Sequence, residues 1–304
     1  MRRRFWAVAL CAGCGHLGYE PTPTRDAGPD GGRDGGFDGG GSDAGRFGEP
    51  ELIDELSFRG ALDDDPSMTG DLTEIYFKSD RGGGGDFDIW MASRASPGDS
   101  FGALHEVAEL SSPAFDATPE VSLDGLTMHL SSNREGSQGF DVYLSTRAAR
   151  DAPWSTPERV PELCTNGDEF SAVTEGAGVR AILTRAVNGQ SLDLFEATRP
   201  SAVDPWGPVA ALTILSTPEW DADAHLSPDG LLLIYASDRP GGAGQRDLWA
   251  STRESPDGDL SPPVDLPEIA TPSHDEDPWL SGDGRTLVFS SDRDGDQELW
   301  IARR

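Results

Sequence analysis

Carboxylates dominate the residues of this chain that could do chemistry, and they come in clusters at nearly regular spacing. Asp63-Asp64-Asp65, Asp116, Asp168-Glu169, Asp221 with Asp223, and Asp275-Glu276-Asp277 open five successive segments. The first acid of each stands at 63, 116, 168, 221 and 275, in steps of 53, 52, 53 and 54. Grouped carboxylates can hold a cation, bind a basic peptide, or divide into acid and base for glycoside hydrolysis. An acid that recurs in every segment is more simply a hydrogen-bond acceptor in a turn or between segments. Binding is therefore expected where the segments differ: Asp65, Glu120, Asp223, His225, His274, Glu276, Asp277 and Trp279.

Other chemistries have little to stand on. The 304 residues hold no nucleophile elbow, H-E-x-x-H, P-loop or Cys/His metal cluster. Asp292-Arg293-Asp294-Gly295-Asp296 approaches a calcium loop but lacks the closing Glu, and Ser281 to Thr286 approaches a sialidase Asp-box with the wrong spacing. No metal or cofactor is expected. Cys164 reads as a small buried residue rather than a nucleophile.

The elements that must position these acids form a repeat. Asp221 to Ser227 reads as a strand ending in the turn Ser227-Pro228-Asp229-Gly230, where Pro presets φ and Gly tolerates a positive one. Leu231 to Ala236 is a second strand, Ser237-Asp238-Arg239 with a Gly-rich loop closes it, and Asp247-Leu248-Trp249-Ala250 is a third. The unit recurs in phase at Ser281-Gly282-Asp283-Gly284 with Leu299-Trp300, and at Ser122-Leu123-Asp124-Gly125 with Val142-Tyr143. Thr69-Gly70-Asp71 with Ile89-Trp90 is a fourth copy, and Thr174-Glu175-Gly176 with Leu194-Phe195 is a worn one. A fourth strand opens at Phe47, Phe101, Trp154, Trp206 and Leu260. Its first copy precedes the first three-strand unit, and none follows the last. Joining the two ends closes a ring and removes exposed sheet edges. The fold class is all-β: a five-bladed β-propeller of four-stranded antiparallel blades, closed by the N-terminal strand (47–56) joining the C-terminal blade (273–304). The recurrent Arg81, Arg134, Arg185, Arg239 and Arg293 are expected to pair with Asp88, Asp141, Asp193, Asp247 and Glu298 as structural staples. Blade 3 is expected to be the weakest, because Gly176 and Gly178 interrupt its turn and Ser171 replaces the proline.

The D-x-x-P, S-P-D-G, S-D-R and D-L-W elements resemble the TolB-type, WD-related β-propeller repeat over residues 47–304. The TolB propeller has six blades and an additional α/β domain, whereas five units are visible here. The N-terminus, MRRRFWAVALCAGC, resembles a bacterial lipoprotein signal. That resemblance implies a signal peptide over 1–14, lipidation at Cys14 and, with Gly15 next, the outer membrane. Residues 15–46, rich in Gly and Asp, read as a disordered tether before the propeller at 47–304.

A formal charge of −30 and a pI near 4.3 exclude nucleic acid as a partner, since binding phosphates needs a basic footprint. The expected function is a non-catalytic, lipid-anchored scaffold facing the periplasm or cell surface. Its partner would be an envelope protein or peptide, a basic one being favoured by the charge, and the chain would be a monomer. The alternative is a glycan-binding or glycoside-hydrolase-like propeller with Glu120 and Asp223 or Asp277 as acid and base. An enzyme should show a deep pocket with carboxylates in unequal environments, and a binding module a shallow rim of equivalent acids.

Overall fold

The structure, a computed structural model, describes residues 46–83, 86–187 and 191–304. The expected signal peptide, Cys14 and all but the last residue of the tether lie outside them. The short strand β1 (Glu51–Leu52) comes first. Blade 1 is β2 (Asp63–Met68), β3 (Glu74–Ser79), β4 (Asp88–Ser93) and β5 (Gly102–Glu106). Blade 2 is β6 (Asp116–Val121), β7 (Thr127–Ser132), β8 (Asp141–Thr146) and β9 (Glu158–Arg159), followed by one 3-10 turn at Pro161–Leu163. Blade 3 is β10 (Glu169–Thr174), β11 (Arg180–Val187), β12 (Ser191–Thr198) and β13 (Ala210–Ala211). Blade 4 is β14 (Asp221–Leu226), β15 (Leu232–Ser237), β16 (Asp247–Thr252) and β17 (Val264–Asp265). Blade 5 is β18 (Asp275–Leu280), β19 (Thr286–Ser291) and β20 (Glu298–Arg303), with β1 as its fourth strand.

Every pairing within the blades is antiparallel, and β1 closes the ring in register, Glu51 opposite Ile301 and Leu52 opposite Trp300. Gly48 N–H to Arg303 O and Ile53 N–H to Leu299 O, both 2.9 Å, extend that ladder. The fold expected from the repeat is the fold observed.

Alternation along the strands explains why blades stack. In β3, Ile75 and Phe77 pack with Trp279, Val288 and Leu299 of blade 5. Tyr76, between them, points the other way and packs with Met128, Leu130 and Tyr143 of blade 2. Period-two alternation thus serves two neighbours, and no blade buries both faces alone.

The turns follow the residues. Ser227 Oγ donates to Asp229 Oδ1 at 2.6 Å, Asp229 Oδ1 accepts the Leu231 N–H, and Gly230 takes φ +71°. Blade 3 departs from expectation here. Its turn is not interrupted, because Glu175 alone accepts the N–H groups of Ala177, Val179 and Arg180. One longer carboxylate does what Ser and Asp do elsewhere.

The arginine staples also correct the expectation. Each Arg reaches the first acid of the innermost strand, not the third strand. Arg239 Nη2 lies 2.6 Å from Asp221 Oδ1, Arg81 Nη2 2.6 Å from Asp63 and Arg293 Nη2 2.5 Å from Asp275, and Arg134 bonds Asp116. Asp63, Asp116, Asp221 and Asp275 are fully buried, so the recurrent acid is structural. In blade 3 the partner of Arg185 is Glu169, not Asp168. The same arginines lie over Trp90, Tyr143, Phe195, Trp249 and Trp300, and donate to the carbonyls of Leu56, Leu110, Leu163, Leu215 and Ile269. A second set, Arg94, Arg147, Arg199, Arg253 and Arg304, clamps the other end of each blade. Their Nε atoms donate to the carbonyls of Leu72, Gly125, Gly178, Gly230 and Gly284. This set is legible as a basic residue ending every third strand.

Candidate functional site: the channel and its groove

The innermost strands β2, β6, β10, β14 and β18 line the central channel. Each carries a register shift, at Asp64/Ser67, Ala117/Glu120, Glu169/Ser171, Ala222/His225 and Glu276/Trp279. The shift places Asp65, Thr118, Asp223 and Asp277 in the left-handed region, with φ of 53°, 47°, 53° and 51°. Such backbone costs of order 1–3 kcal/mol for a residue with a side chain and clusters at functional sites. With Ser171 of blade 3, these four residues make one polar layer around a narrow cavity that Glu120 also lines.

Two residues further along, each strand presents something different: Ser67, Glu120, Val173, His225 and Trp279. Glu120, Val173, His225 and Trp279 line a groove of about 440 Å³, which opens at the end of the channel where the turns after the innermost strands lie. This is the layer where the blades are not equivalent.

Lys78, the chain's only lysine, holds the polar layer together. It is buried on β3, with Nζ 3.0 Å from Asp64 Oδ2 and 2.9 Å from Asp65 Oδ2. Asp65 Oδ2 also accepts the Thr118 N–H at 3.0 Å, and Asp277 Oδ2 accepts from Ser290 Oγ at 2.6 Å. The carboxyl groups differ sharply. Burial raises Asp64, but the Lys78 charge and hydrogen bonds outweigh it and hold the group well below the usual range. Burial first, then the charges of Asp64, Asp65 and Asp223, push Asp277 well up. Burial and Asp65 push Asp223 up to about 8, and the same two causes push Glu120 well up against a long hydrogen bond from Ser67 Oγ. Glu120, Asp223 and Asp277 therefore hold a proton more tightly than ordinary carboxyls, while Asp64 holds one less tightly.

In the groove, His129 stands opposite Glu120 in register, and burial lowers it to about 4. His225 is 6% exposed and is likewise lowered to about 4 by burial. Its ring meets Trp279 edge to face at 5.9 Å. The Leu280 backbone lies near this ring, yet neither nitrogen has a hydrogen-bond partner. A buried group left so costs about 1–3 kcal/mol.

The structure thus divides the eight expected site residues. Asp65, Asp223 and Asp277 share the polar layer with Glu120, and Glu120, His225 and Trp279 share the groove. Glu276 and His274 belong to the opposite end of the channel: Glu276 bonds Arg246 and accepts from Gln297 Nε2 at 3.2 Å, and the His274 N–H donates to Asp292. Asp223 and Asp277, expected to share the acid and base roles with Glu120, are both raised by burial and by neighbouring carboxylates. Lys78 and His129 were not anticipated. The signal for Lys78 was a lone lysine where the other blades place Ser131, Thr184, Ala236 and Ser290. Asp64, Asp65 and Asp277 lie close enough to share a cation, but the Lys78 ammonium already sits against two of them. Cys164 donates to the carbonyl of Val160, and burial pushes its thiol up to about 12, so it is no nucleophile. Among the described residues no helix is long and apolar enough to cross a membrane.

No family model and no curated protein matches the chain. Solved structures do. A protein assigned as TolB from Agrobacterium tumefaciens is similar at 17% identity and a TM-score of 0.50, over 84% of this chain and 89% of that one. The catalytic domain of a GH62 α-L-arabinofuranosidase from Coprinopsis cinerea is similar at 11% identity and a TM-score of 0.56, over 85% and 96%. An endo-arabinase from Bacteroides thetaiotaomicron is similar at 11% and 0.56, over 86% and 98%. At these identities the likeness is one of fold. It overturns the expectation of a chain that is not an enzyme, because glycoside hydrolases stand beside the TolB protein on the same architecture.

Proposed function

We propose that this protein is a carbohydrate-active propeller that takes a saccharide into the groove and cleaves a glycosidic bond with Glu120 as proton donor. The observation behind it is the inequality of the carboxyl groups around one cavity. Glu120 opens onto the groove with its proton affinity raised by burial and by Asp65, whereas Asp65 behind it is bound by Lys78 and the Thr118 N–H. Glycoside hydrolysis needs such a division, one carboxylic acid to protonate the leaving oxygen and one carboxylate to activate water or attack carbon. In this reading Asp65 is the carboxylate, paired with the Lys78 ammonium at 2.9 Å.

The N-terminal resemblance supports export and a lipid on Cys14, which would place the groove among envelope components. A body of charge −30 favours neutral or basic ones.

The purified protein should release reducing ends from neutral arabino-, xylo- or gluco-oligosaccharides. Glu120→Gln should lower the rate by about 10²–10⁴, as loss of a general acid does, without changing the melting temperature downward. Wild-type protein inactive on all of them would remove this proposal.

A further inference from the structure

We infer that the groove takes a saccharide bearing one carboxylate, and that Arg199 binds that carboxylate. This rests on the carbohydrate reading above and adds the class of substrate. The outer part of the groove lies in the seam between blades 2 and 3, and the neighbouring seam shows what it lacks. Between blades 1 and 2, the Glu74 carboxylate is held by Arg147 Nη2 at 2.6 Å, Arg150 Nε at 3.1 Å and the Tyr76 hydroxyl at 3.0 Å. One blade further on, Thr127 stands for Glu74, His129 for Tyr76, Arg199 for Arg147 and Ala202 for Arg150. Three of these four are smaller than their counterparts, and all four line the groove.

Arg199 therefore keeps the place of Arg147 without the carboxylate. Its pose is the same: Nε donates to Gly178 O at 2.7 Å and the guanidinium lies 4.0 Å over Trp206. Arg147 likewise donates Nε to Gly125 O and lies 4.4 Å over Trp154. Arg147 and Arg253 each reach a carboxylate of the preceding blade and are 8% exposed, whereas Arg199 is only half-buried. Among the described residues Arg94, Arg199 and Arg304 pair with no carboxylate, and of these three only Arg199 shares the groove with Glu120. Its Nη2 has no partner among them and lies beside Gly178 and Ala202, which wall the groove. A guanidinium fixed in this way presents parallel donors to a carboxylate. The Arg199 charge is felt at His129, which faces Glu120 in register, so one short ligand can meet both groups. One carboxylate is the limit. Asp124 and Glu175, each tied to its own turn, also line the groove and would repel a second.

The test is calorimetric binding to the full chain carrying Glu120→Gln, which blocks turnover. The two ligands are xylotriose and xylotriose bearing one glucuronic acid branch. The acidic ligand should bind at least about tenfold more tightly, the worth of one charged hydrogen bond. Adding Arg199→Gln should bring the two affinities together. Adding Thr127→Glu instead, which returns a carboxylate to the place of Glu74 and leaves Arg199 on Gly178 and Trp206, should do the same. If the acidic ligand keeps its advantage in Arg199→Gln, or has none in the parent, this inference is wrong and the carbohydrate reading stands. If the parent binds neither saccharide, the reading itself fails and this inference with it. Should Arg199→Gln not fold, Thr127→Glu decides. An advantage lost there supports the assignment, and an advantage kept overturns it.

Discussion

Lys78 Nζ lies 2.9 Å from Asp65 Oδ2 and 3.0 Å from Asp64 Oδ2, so the only ammonium side chain in the protein is spent inside its channel. Removing one partner of a buried ion pair typically costs about 3–5 kcal/mol, since it leaves uncompensated charge. Lys78→Met should lose stability of that order in urea unfolding. Lys78→Met with Asp65→Asn should recover part of it. A Lys78→Met protein within about 1 kcal/mol of wild type would mean that water reaches the layer.

The raised carboxyl groups give stability a pH slope of definite sign. Asp223 stands at about 8 in the folded protein against 3.8 unperturbed, so between those values the native state holds the extra proton. Its contribution is complete below about pH 4 and is lost as pH rises through about 8, at up to ~1.4 kcal/mol per pH unit for one proton. Glu120 and Asp277 act in the same direction. Melting temperature should fall from pH 6.5 to pH 8, above the range where the lowered His129 and His225 act with the opposite sign, and Asp223→Asn should flatten that fall. A temperature that rises over this window would contradict the layer as described.

Arg239 should matter through Asp221 and not through Asp247. Asp221 is fully buried and accepts from Arg239 Nη2 and Ser237 Oγ. Asp247 accepts the Gly244 N–H, and its Oδ1 is unpartnered. Arg239→Ala and Asp221→Ala should each cost about 3–5 kcal/mol, and their double-mutant cycle should show coupling above ~1 kcal/mol. The Arg239/Asp247 cycle should give coupling near zero. The reverse ordering would restore the pairing expected from sequence.

Cys164 should resist alkylation in the native protein. Its thiol is pushed up to about 12 by burial and faces the Val160 carbonyl, so little thiolate exists at pH 8. Iodoacetamide should label it at the free-thiol rate only in denaturant. Fast native labelling would show a thiol that ionises far more readily than its burial allows.

Blade number, strand order and ring closure were legible because a propeller repeats its local rules. The S-P-D-G turn, the short apolar middle strand and the closing aromatic are each set by neighbours within about 30 residues, and their phase is the fold. Even the second arginine set was readable, as the basic residue at 94, 147, 199, 253 and 304. Blade 3 misled because chemistry was conserved while residues were not: Glu175 closes the turn, and Glu169 takes the place of the acid one residue earlier.

What the sequence by itself determined is the frame, since repeat phase and turn chemistry act over short stretches of chain. What only the tertiary structure decided is which acids are acids. Asp65, Glu120, Asp223 and Asp277 come from four different blades, and the register shifts turn the first, third and fourth of them into one layer. The raised proton affinity of Glu120, Asp223 and Asp277 follows from burial and from neighbouring carboxylates, and those distances exist only once the ring has closed.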